Sequence, residues 1–300
     1  MISLRYHVVS IGAVFLALAL GVVLGASGVS DRLLSAVSAE RDDLGSRVQT
    51  LTGERDDLAA AGRASDEFAR RVGPAAVRGL LDGQSVVLVT AGAEPAARDG
   101  VATLIGQAGA TVAGEVELTE AVGDPARGAQ LRALTASLLP TGSQLPAASD
   151  TGSLLGGLLG SALLEGGDPA AVLTGLAAAG FVRPGDVPAP ASLVLVLTGG
   201  ALTGIDAADA AAVVARLAAE LDRRGAGAVL AGSAGSADVT GPVGVARADS
   251  TVAAALSTVD DVQSAQGQVS AVLALREQLD GRSGRYGTAA TASDGAAPAA

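Results

Sequence analysis

The side chains that metal binding and covalent catalysis need most are scarce in this sequence of 300 residues. It contains no Cys, its one Met is Met1 and its one His is His7. Thiolate nucleophiles, disulfides, iron–sulfur clusters and Cys/His zinc sites are therefore excluded. All 20 basic residues are Arg, because no Lys occurs. The lack of Lys excludes a Schiff base and a phosphate loop of the Gly-Lys-Ser type.

Serines and carboxylates remain as candidates for catalysis. No Ser stands in a GxSxG elbow, and His7, the one imidazole, lies beside an apolar segment, so a serine hydrolase is not expected. Asp260 and Asp261 are adjacent, whereas a glycosidase needs two carboxylates that face one cleft. We expect these aspartates to be solvated at the surface or to cap a helix. The sequence thus predicts a protein that is not an enzyme and that carries no cofactor or metal.

Three glycine-rich stretches follow predicted strands, at the positions where doubly wound sheets bind ligands. They are Thr90–Gly92, Thr198–Gly204 and Gly232–Gly235. The second resembles a phosphate-cradling turn before a helix, yet it lacks the GxGxxG spacing and contains no Arg. A nucleotide site and ordinary tight turns both remain open.

The overall charge argues against nucleic acid as a partner. The formal net charge is −11, and no basic patch is present to neutralise a phosphate backbone. Hydrophobic residues make up 49% of the chain, but aromatic residues only 2%. The apolar content is therefore mainly Ala, Val and Leu.

The first apolar segment has the length of a membrane span. No formally charged residue lies between Arg5 and Asp31, and the 19 residues from Val8 to Ala26 are almost continuously apolar. At about 1.5 Å per residue they span roughly 28 Å, close to the hydrocarbon thickness of a bilayer. We expect residues 1–29 to be an uncleaved transmembrane anchor. A signal peptide cleaved near Ala26-Ser27-Gly28 is the alternative.

One face of this segment carries small residues at every fourth position: Ala13, Ala17, Gly21 and Gly25. Such a stripe lets two membrane helices approach closely, although a chain rich in Ala and Gly also produces the spacing by chance. Arg residues flank both ends of the segment, so charge alone does not fix its orientation. We expect a single-pass protein of the cell membrane or envelope, with its C-terminal domain outside the cytoplasm.

Residues 30–73 are predicted to form a coiled coil. Steps of three and four residues link its core positions: Leu34, Val37, Leu44, Val48, Leu51 and Leu58. Arg41 and Arg55 also fall on core positions, each directly after a Glu, and their surroundings repeat after two heptads. We expect a parallel homodimer in which these Arg side chains meet Glu40 or Glu54 of the second copy. A single solvated helix, or one folded back on its own domain, is the alternative.

Residues 74–286 are predicted to form an α/β domain. Gly73-Pro74 ends the helical pattern, and apolar runs without polar alternation follow, which indicates a parallel sheet covered on both faces. The expected fold class is α/β, doubly wound and Rossmann-like. Strands are predicted at 85–90, 111–118, 192–198, 228–231 and 269–275. Helices are predicted at 96–108, at 125–138 and from an N-cap at Asp206 to residue 224, and a buried helix at 151–164. Residues 140–150 are predicted to form a loop and residues 287–300 a disordered tail.

Motifs along the whole chain resemble one protein family. The amino terminus MISLRYHVVSIGAVFLALALGVVLG closely resembles that of the actinobacterial family named after the mycobacterial copper transport protein MctB. The likeness continues through the charged coiled coil, LLPTGSQL at 138–145, VLTGGAL at 196–202, STVDDV at 257–262 and GRYG at 284–287. The resemblance implies an envelope protein, of the outer membrane in some descriptions, that keeps intracellular copper low. A corynebacterial branch implies a role in cell separation with peptidoglycan hydrolases.

The residues themselves offer little for copper. Copper(I) prefers thiolate, thioether or imidazole ligands, and the chain has one Met and one His. Any copper role is therefore expected to be indirect or carried by partners. Two functions remain open: a component of copper homeostasis or transport, and a dimeric coiled-coil scaffold that recruits envelope partners.

Overall fold

The computed structural model describes residues 4–26, 29–139 and 150–298. The chain divides into two compact units, Met1–Arg63 and Ala64–Ala300. The predicted loop at 140–150, apart from Asp150, and residues 140–145 of the LLPTGSQL motif lie outside the described residues.

Helix α1 spans Leu4–Ala26. Its segment Leu4–Gly25 contains an 18-residue window with a mean hydropathy of 2.6 and is exposed throughout, so its length and composition fit a membrane span. The small residues Ala13, Ala17, Gly21 and Gly25 lie on this helix with exposed surfaces. Their role in helix pairing stays a prediction.

Helix α2 spans Val29–Ala76 and includes the residues that are predicted to form a coiled coil. It does not end at Gly73-Pro74, as the sequence predicted. Pro74 removes only the hydrogen bond that its own amide would donate. The helical bonds continue beyond it, since the amide of Val77 donates to the carbonyl of Gly73 at 3.0 Å. The part of α2 after Arg63 belongs to the same compact unit as the α/β domain, ten residues before the predicted boundary.

Six strands form one sheet in which every neighbouring pair is parallel. The predicted α/β class with a doubly wound parallel sheet is confirmed. The strand order is β2-β1-β3-β4-β5-β6, which is the flavodoxin-like arrangement rather than the 3-2-1-4-5-6 order of the Rossmann fold. The strands are β1 Ser85–Ala91, β2 Thr111–Leu118, β3 Leu193–Thr198, β4 Ala228–Gly232, β5 Ser257–Val259 and β6 Arg285–Tyr286.

Helices cover both faces of this sheet. Successive residues of β1 and β3 point to opposite sides, so Val86 and Leu88 pack in one core and Val87 and Val89 in the other. One face is covered by α3 Pro95–Gln107 and α10 Ala265–Leu279. The other is covered by α4 Gly128–Leu138, α5 Thr151–Leu163, α6 Pro169–Ala178, α7 Ala207–Arg224, α8 Pro242–Ala248 and α9 Ser250–Ala253.

The predicted buried helix at 151–164 is confirmed as α5, in which only Thr151 and Leu154 are not buried. Glycines on one face explain how it packs so closely. A Cβ on Gly152 would lie 2.3 Å from the carbonyl oxygen of Val213, and one on Gly156 would lie 2.8 Å from that of Leu217. The glycines therefore let α5 rest directly on the backbone of α7.

The strand predicted at 269–275 is wrong, because these residues lie inside helix α10. The Ser264 hydroxyl accepts a hydrogen bond from the amide of Gly267 at 2.9 Å and caps the helix. This N-cap fixes the helix start, and the apolar run then fills the core at helical spacing. The short strands β5 and β6 complete the sheet instead.

The tail predicted to be disordered packs on the α/β domain through residue 298. The amides of Thr288 and Ala289 donate to Asp260 at 2.8 and 3.1 Å. The Ser270 hydroxyl donates to the carbonyl of Ala296 at 2.8 Å. The small-residue composition gave no sign of this order, because most of the tail's bonds use its backbone.

Candidate functional site

The glycine-rich stretches singled out in the sequence meet at the carboxyl edge of the sheet. A Cβ on Gly199 would lie 2.8 Å from the carbonyl oxygen of Gly92, and one on Gly200 would lie 2.5 Å from that of Ala234. The loops after β1, β3 and β4 thus touch through their backbones. In open α/β sheets this edge, near the switch point between β1 and β3, is where ligands bind.

Hydrogen bonds join these loops to one another. The amide of Ser233 donates to the carbonyls of Thr198 and Gly199, both at 3.3 Å, and the amide of Gly199 donates to that of Ala91 at 3.4 Å. The amide of Ala234 donates to the Gln263 side chain at 2.9 Å. Within Thr198–Gly204, the amides of Gly199 and Leu202 donate to the carbonyls of Ala91 and Thr240, so neither is free to hold a phosphate. The bonds within this stretch support tight turns at these two positions.

Three buried oxygen atoms on this edge make no hydrogen bond within the described part of the chain: Ser233 Oγ, Ser236 Oγ and Asp261 Oδ1. They lie on the loops that follow β4 and β5. Buried polar groups are nearly always paired, so such atoms mark places where water or a small ligand binds. Carboxylate and hydroxyl oxygens suit water or a hard cation and are poor ligands for copper(I).

Asp261 has the most unusual environment of the three. Its carboxylate is 2% exposed and accepts a hydrogen bond from the Ser264 hydroxyl at 3.1 Å. Burial raises the pKa of Asp261 to about 6, and the negative charges of Asp260 and Asp66 act in the same direction. Asp66, on α2, accepts from the amide of Ala265 at the start of α10.

Asp260 is buried beside Asp261 but is neutralised. Arg247 donates from Nη1 to its carboxylate at 2.6 Å, and both side chains are almost fully buried. Arg247 also donates to the Thr258 hydroxyl and to the carbonyl of Tyr286. The expectation of two solvated or capping aspartates is wrong for this pair. The STVDDV motif is part of the core, and nothing local in the sequence indicates that Arg247 reaches it.

Asp260 is committed to its ion pair, so the two aspartates do not form the pair of free carboxylates that a glycosidase uses. The hydroxyls of Ser233 and Ser236 have no imidazole in their own unit, since His7 lies on α1. Among the residues that the structure describes, no three His, Cys, Asp or Glu side chains are grouped closely enough to hold a metal ion. The groups at this edge that could bind a ligand are the buried oxygen atoms of Ser233, Ser236 and Asp261.

The predicted site residues of α1 and α2 belong to the unit Met1–Arg63. Val37, Leu44, Val48, Leu51 and Leu58 are exposed on α2, while the side chain of Leu34 lies outside the described part. The structure does not test whether these residues pack against a second helix. Sequence reasoning missed Asp261 and Ser233 as buried polar groups, and only the DDV run at the end of an apolar segment hinted at them.

The whole chain is similar to a family of known proteins. The family model described as "Copper transport outer membrane protein, MctB" matches residues 1–297. The proteins named "Copper transporter MctB" of Mycobacterium tuberculosis and Mycobacterium bovis are 43% identical to it over 307 residues, with 96% of each chain covered. That of Mycobacterium leprae is 38% identical, again with 96% of each chain covered. This chain therefore belongs to the MctB family of copper transport outer membrane proteins.

Proposed function

We propose that this protein serves copper homeostasis in the cell envelope as a non-enzymatic component anchored in a membrane by helix α1. The observation that carries the proposal is the match to relatives named copper transporters, at 43% identity and over 96% of both chains. The anchor is Leu4–Gly25, which contains an 18-residue window with a mean hydropathy of 2.6. The α/β domain lies on the extracytoplasmic side.

The copper role is indirect in this proposal. Copper(I) needs soft sulfur or imidazole ligands, and the chain has no Cys, one Met at its start and one His. The oxygen atoms at the carboxyl edge of the sheet do not replace these ligands. The protein therefore acts on copper through other envelope proteins that hold or move the ion.

The α/β domain does not form a transmembrane pore in this proposal. A membrane barrel needs strands of about 9 to 11 residues that expose one face to lipid. The described strands are between two and eight residues long, and helices cover both faces of their sheet. The domain is better suited to binding a partner than to conducting an ion.

Deletion of the gene tests the role in the cell. Cell-associated copper and the length of cell chains are measured in the deletion strain, with and without the restored gene. We expect copper to accumulate while cells separate normally, and both the natural gene and the His7→Ala variant to reverse the accumulation. Chained cells with normal copper would overturn the proposal in favour of a scaffold for cell separation.

Copper binding by the purified full-length protein tests whether the role is indirect. Copper(I) is titrated in detergent against a competing chelator, with the His7→Ala variant in parallel. We expect neither protein to compete for copper at submicromolar concentration, because a single imidazole supplies one nitrogen per chain. A submicromolar site that disappears in His7→Ala would show that the protein holds copper itself.

A further inference from the structure

Five exposed apolar side chains of helix α2 form a narrow stripe, here named the seam: Val37, Leu44, Val48, Leu51 and Leu58. Their exposed fractions run from 53% at Leu44 to 74% at Leu58. Steps of seven, four, three and seven residues place them along one face of the helix. A long helix with an uncovered apolar stripe gains most of its stability from packing on another element.

The described part of the chain does not cover the seam. Every side chain from residue 37 to residue 65 is exposed. Near its end α2 contacts the α/β domain: the Ser65 hydroxyl donates to the Gln266 side chain at 2.8 Å, Asp66 accepts from the amide of Ala265 and Gly73 lies against Val269. Of the segment predicted to form a coiled coil, residues 30–73, only the part before Ser65 is therefore available for pairing.

The character of the seam favours a helix over a lipid surface as its partner. Helices that lie on a membrane carry a wide apolar face with bulky side chains and a face rich in Lys and Arg. The seam is only two positions wide per heptad, as in coiled coils. Between residues 37 and 62 the chain has three Arg against six acidic residues and no aromatic residue. An anionic lipid surface would repel this segment.

Charges on the seam indicate which helix fits. Arg41 and Arg55 lie on the seam's own heptad positions, and each directly follows a glutamate, Glu40 or Glu54. Within the described residues Arg41, Glu40 and Glu54 form no ion pair, and Arg55 pairs only with its neighbour Asp56. In a parallel pair of helices a core residue lies beside the preceding flank residue of the other helix. A second copy in the same register thus places a glutamate beside each arginine.

We propose that the seam binds a second copy of this chain as a parallel coiled coil over residues 37–62, with its register set by Arg41 and Glu40 and by Arg55 and Glu54 of opposite copies. The parallel direction rests on the proposed anchoring, because two chains inserted by α1 in one membrane enter α2 with the same polarity. The pairing itself does not depend on the role in copper homeostasis. Buried polar groups of this kind set register at some cost in stability.

Cysteine crosslinking of the full-length protein in its own membrane tests the pairing. The chain has no Cys, so each introduced thiol is the only one. Leu44→Cys, Leu51→Cys and Leu58→Cys are oxidised with diamide separately, and Gln49→Cys, on the outer face of the same helix, is the control. We expect each seam variant to shift from a monomer band to a dimer band and the control to stay monomeric.

Mixed expression of Leu44→Cys with Leu58→Cys separates the two directions of pairing. Parallel pairing gives crosslinks only between identical variants, whereas antiparallel pairing joins the two different ones and would overturn the proposal. Crosslinks to a different protein, or no more dimer at seam positions than at Gln49→Cys, would overturn it as well. Neither outcome bears on the copper measurements of the deletion strain.

Exchange of charges tests the register. The double variant Glu40→Arg and Glu54→Arg, made with Leu51→Cys, places like charges together, so we expect the dimer band to weaken. Adding Arg41→Glu and Arg55→Glu should restore the band, since the opposite charges then face each other again. These residues lie outside the α/β domain, so its folding is not at risk. Failure of the fourfold exchange to restore the band would overturn the assigned pairs.

Discussion

At the scale of single residues, Asp260 and Asp261 show that neighbouring carboxylates with equal burial can play opposite parts. Asp260 is held by Arg247 and by the amides of Thr288 and Ala289. Asp261 accepts a side-chain hydrogen bond from the Ser264 hydroxyl, and within the described residues it forms no ion pair. A buried charge is tolerated when it is paired and is costly when it is not. Asp260 thus stabilises the fold through its ion pair, whereas the unpaired charge of Asp261 destabilises it.

Replacing Asp261 tests this asymmetry. Burial raises its pKa to about 6, so the folded chain binds this proton more tightly than the unfolded chain does. The resulting stability is present below about pH 4 and is lost as pH rises through 6. We expect Asp261→Asn to raise the free energy of unfolding at pH 7.5 by about 1–3 kcal/mol and to change it little at pH 4. Denaturant unfolding at both pH values measures this.

The exposed Asp238→Asn variant is the matched control and should behave like the natural protein at both pH values. An unchanged pH dependence in Asp261→Asn would mean that this carboxylate does not titrate between pH 4 and 6.

Removal of Arg247 should be the more damaging change. Arg247→Ala leaves Asp260 charged and buried, and it also removes the bond to the Tyr286 carbonyl on β6. Breaking a buried ion pair in this way costs about 3–5 kcal/mol. Arg183→Ala breaks the exposed pair with Glu117 and should cost less than about 1 kcal/mol. Thermal unfolding of the two variants gives the comparison, and equal losses would refute the central role of Arg247.

At the scale of elements, prediction from sequence succeeded where local pattern decides and failed where distant contacts decide. Strands β1 and β3 are apolar runs of seven and six residues, and the sequence predicted both of them, and the more polar β2, to within one residue at each end. Strands β5 and β6 have three and two residues. Their bonds to neighbouring strands define them, so no periodicity reveals them.

The same limit applies to the carboxyl edge of the sheet. The glycine-rich loops were recognised from their composition, and their position follows from the parallel sheet. The buried state of Ser233, Ser236 and Asp261 depends on how the loops after β3, β4 and β5 fold over one another. A single sequence does not contain that information in any local pattern.

Close packing of α5 on α7 gives a test at this scale. A Cβ on Gly156 would lie 2.8 Å from the Leu217 carbonyl, which is too close for a backbone atom that cannot move aside. Overpacking of this kind costs about 1–3 kcal/mol, so Gly156→Ala should lower the midpoint of thermal unfolding. Gly106→Ala, in α3 with no atom within 4 Å of the added Cβ, should be neutral or stabilising by about 0.5–1 kcal/mol. Equal effects of the two changes would contradict the tight contact.

At the scale of the whole molecule, the division of the chain differs from the one that composition indicated. The sequence placed the domain boundary at Gly73-Pro74, whereas the compact unit of the α/β domain begins at Ala64. Helix α2 thus belongs to two units. Its first part carries the exposed seam, and its last turns pack against α10 through Asp66 and Gly73. Helix periodicity continues across the boundary, so no break in the sequence could mark it.

Retention of helix α1 in the mature chain is the prediction on which the proposed location depends. The 22 residues of Leu4–Gly25 span about 33 Å as a helix, enough for the hydrocarbon core of a bilayer. Signal peptides have apolar cores of only about 7 to 15 residues. We expect mass spectrometry of the protein purified from membranes to find an amino terminus at or beside Met1. We also expect the protein to resist extraction at high pH, whereas an exported chain that lacks residues 1–29 is released. A mature terminus near Gly28 or Val29 would remove the anchor, and with it the argument that two copies meet in parallel because one membrane holds both.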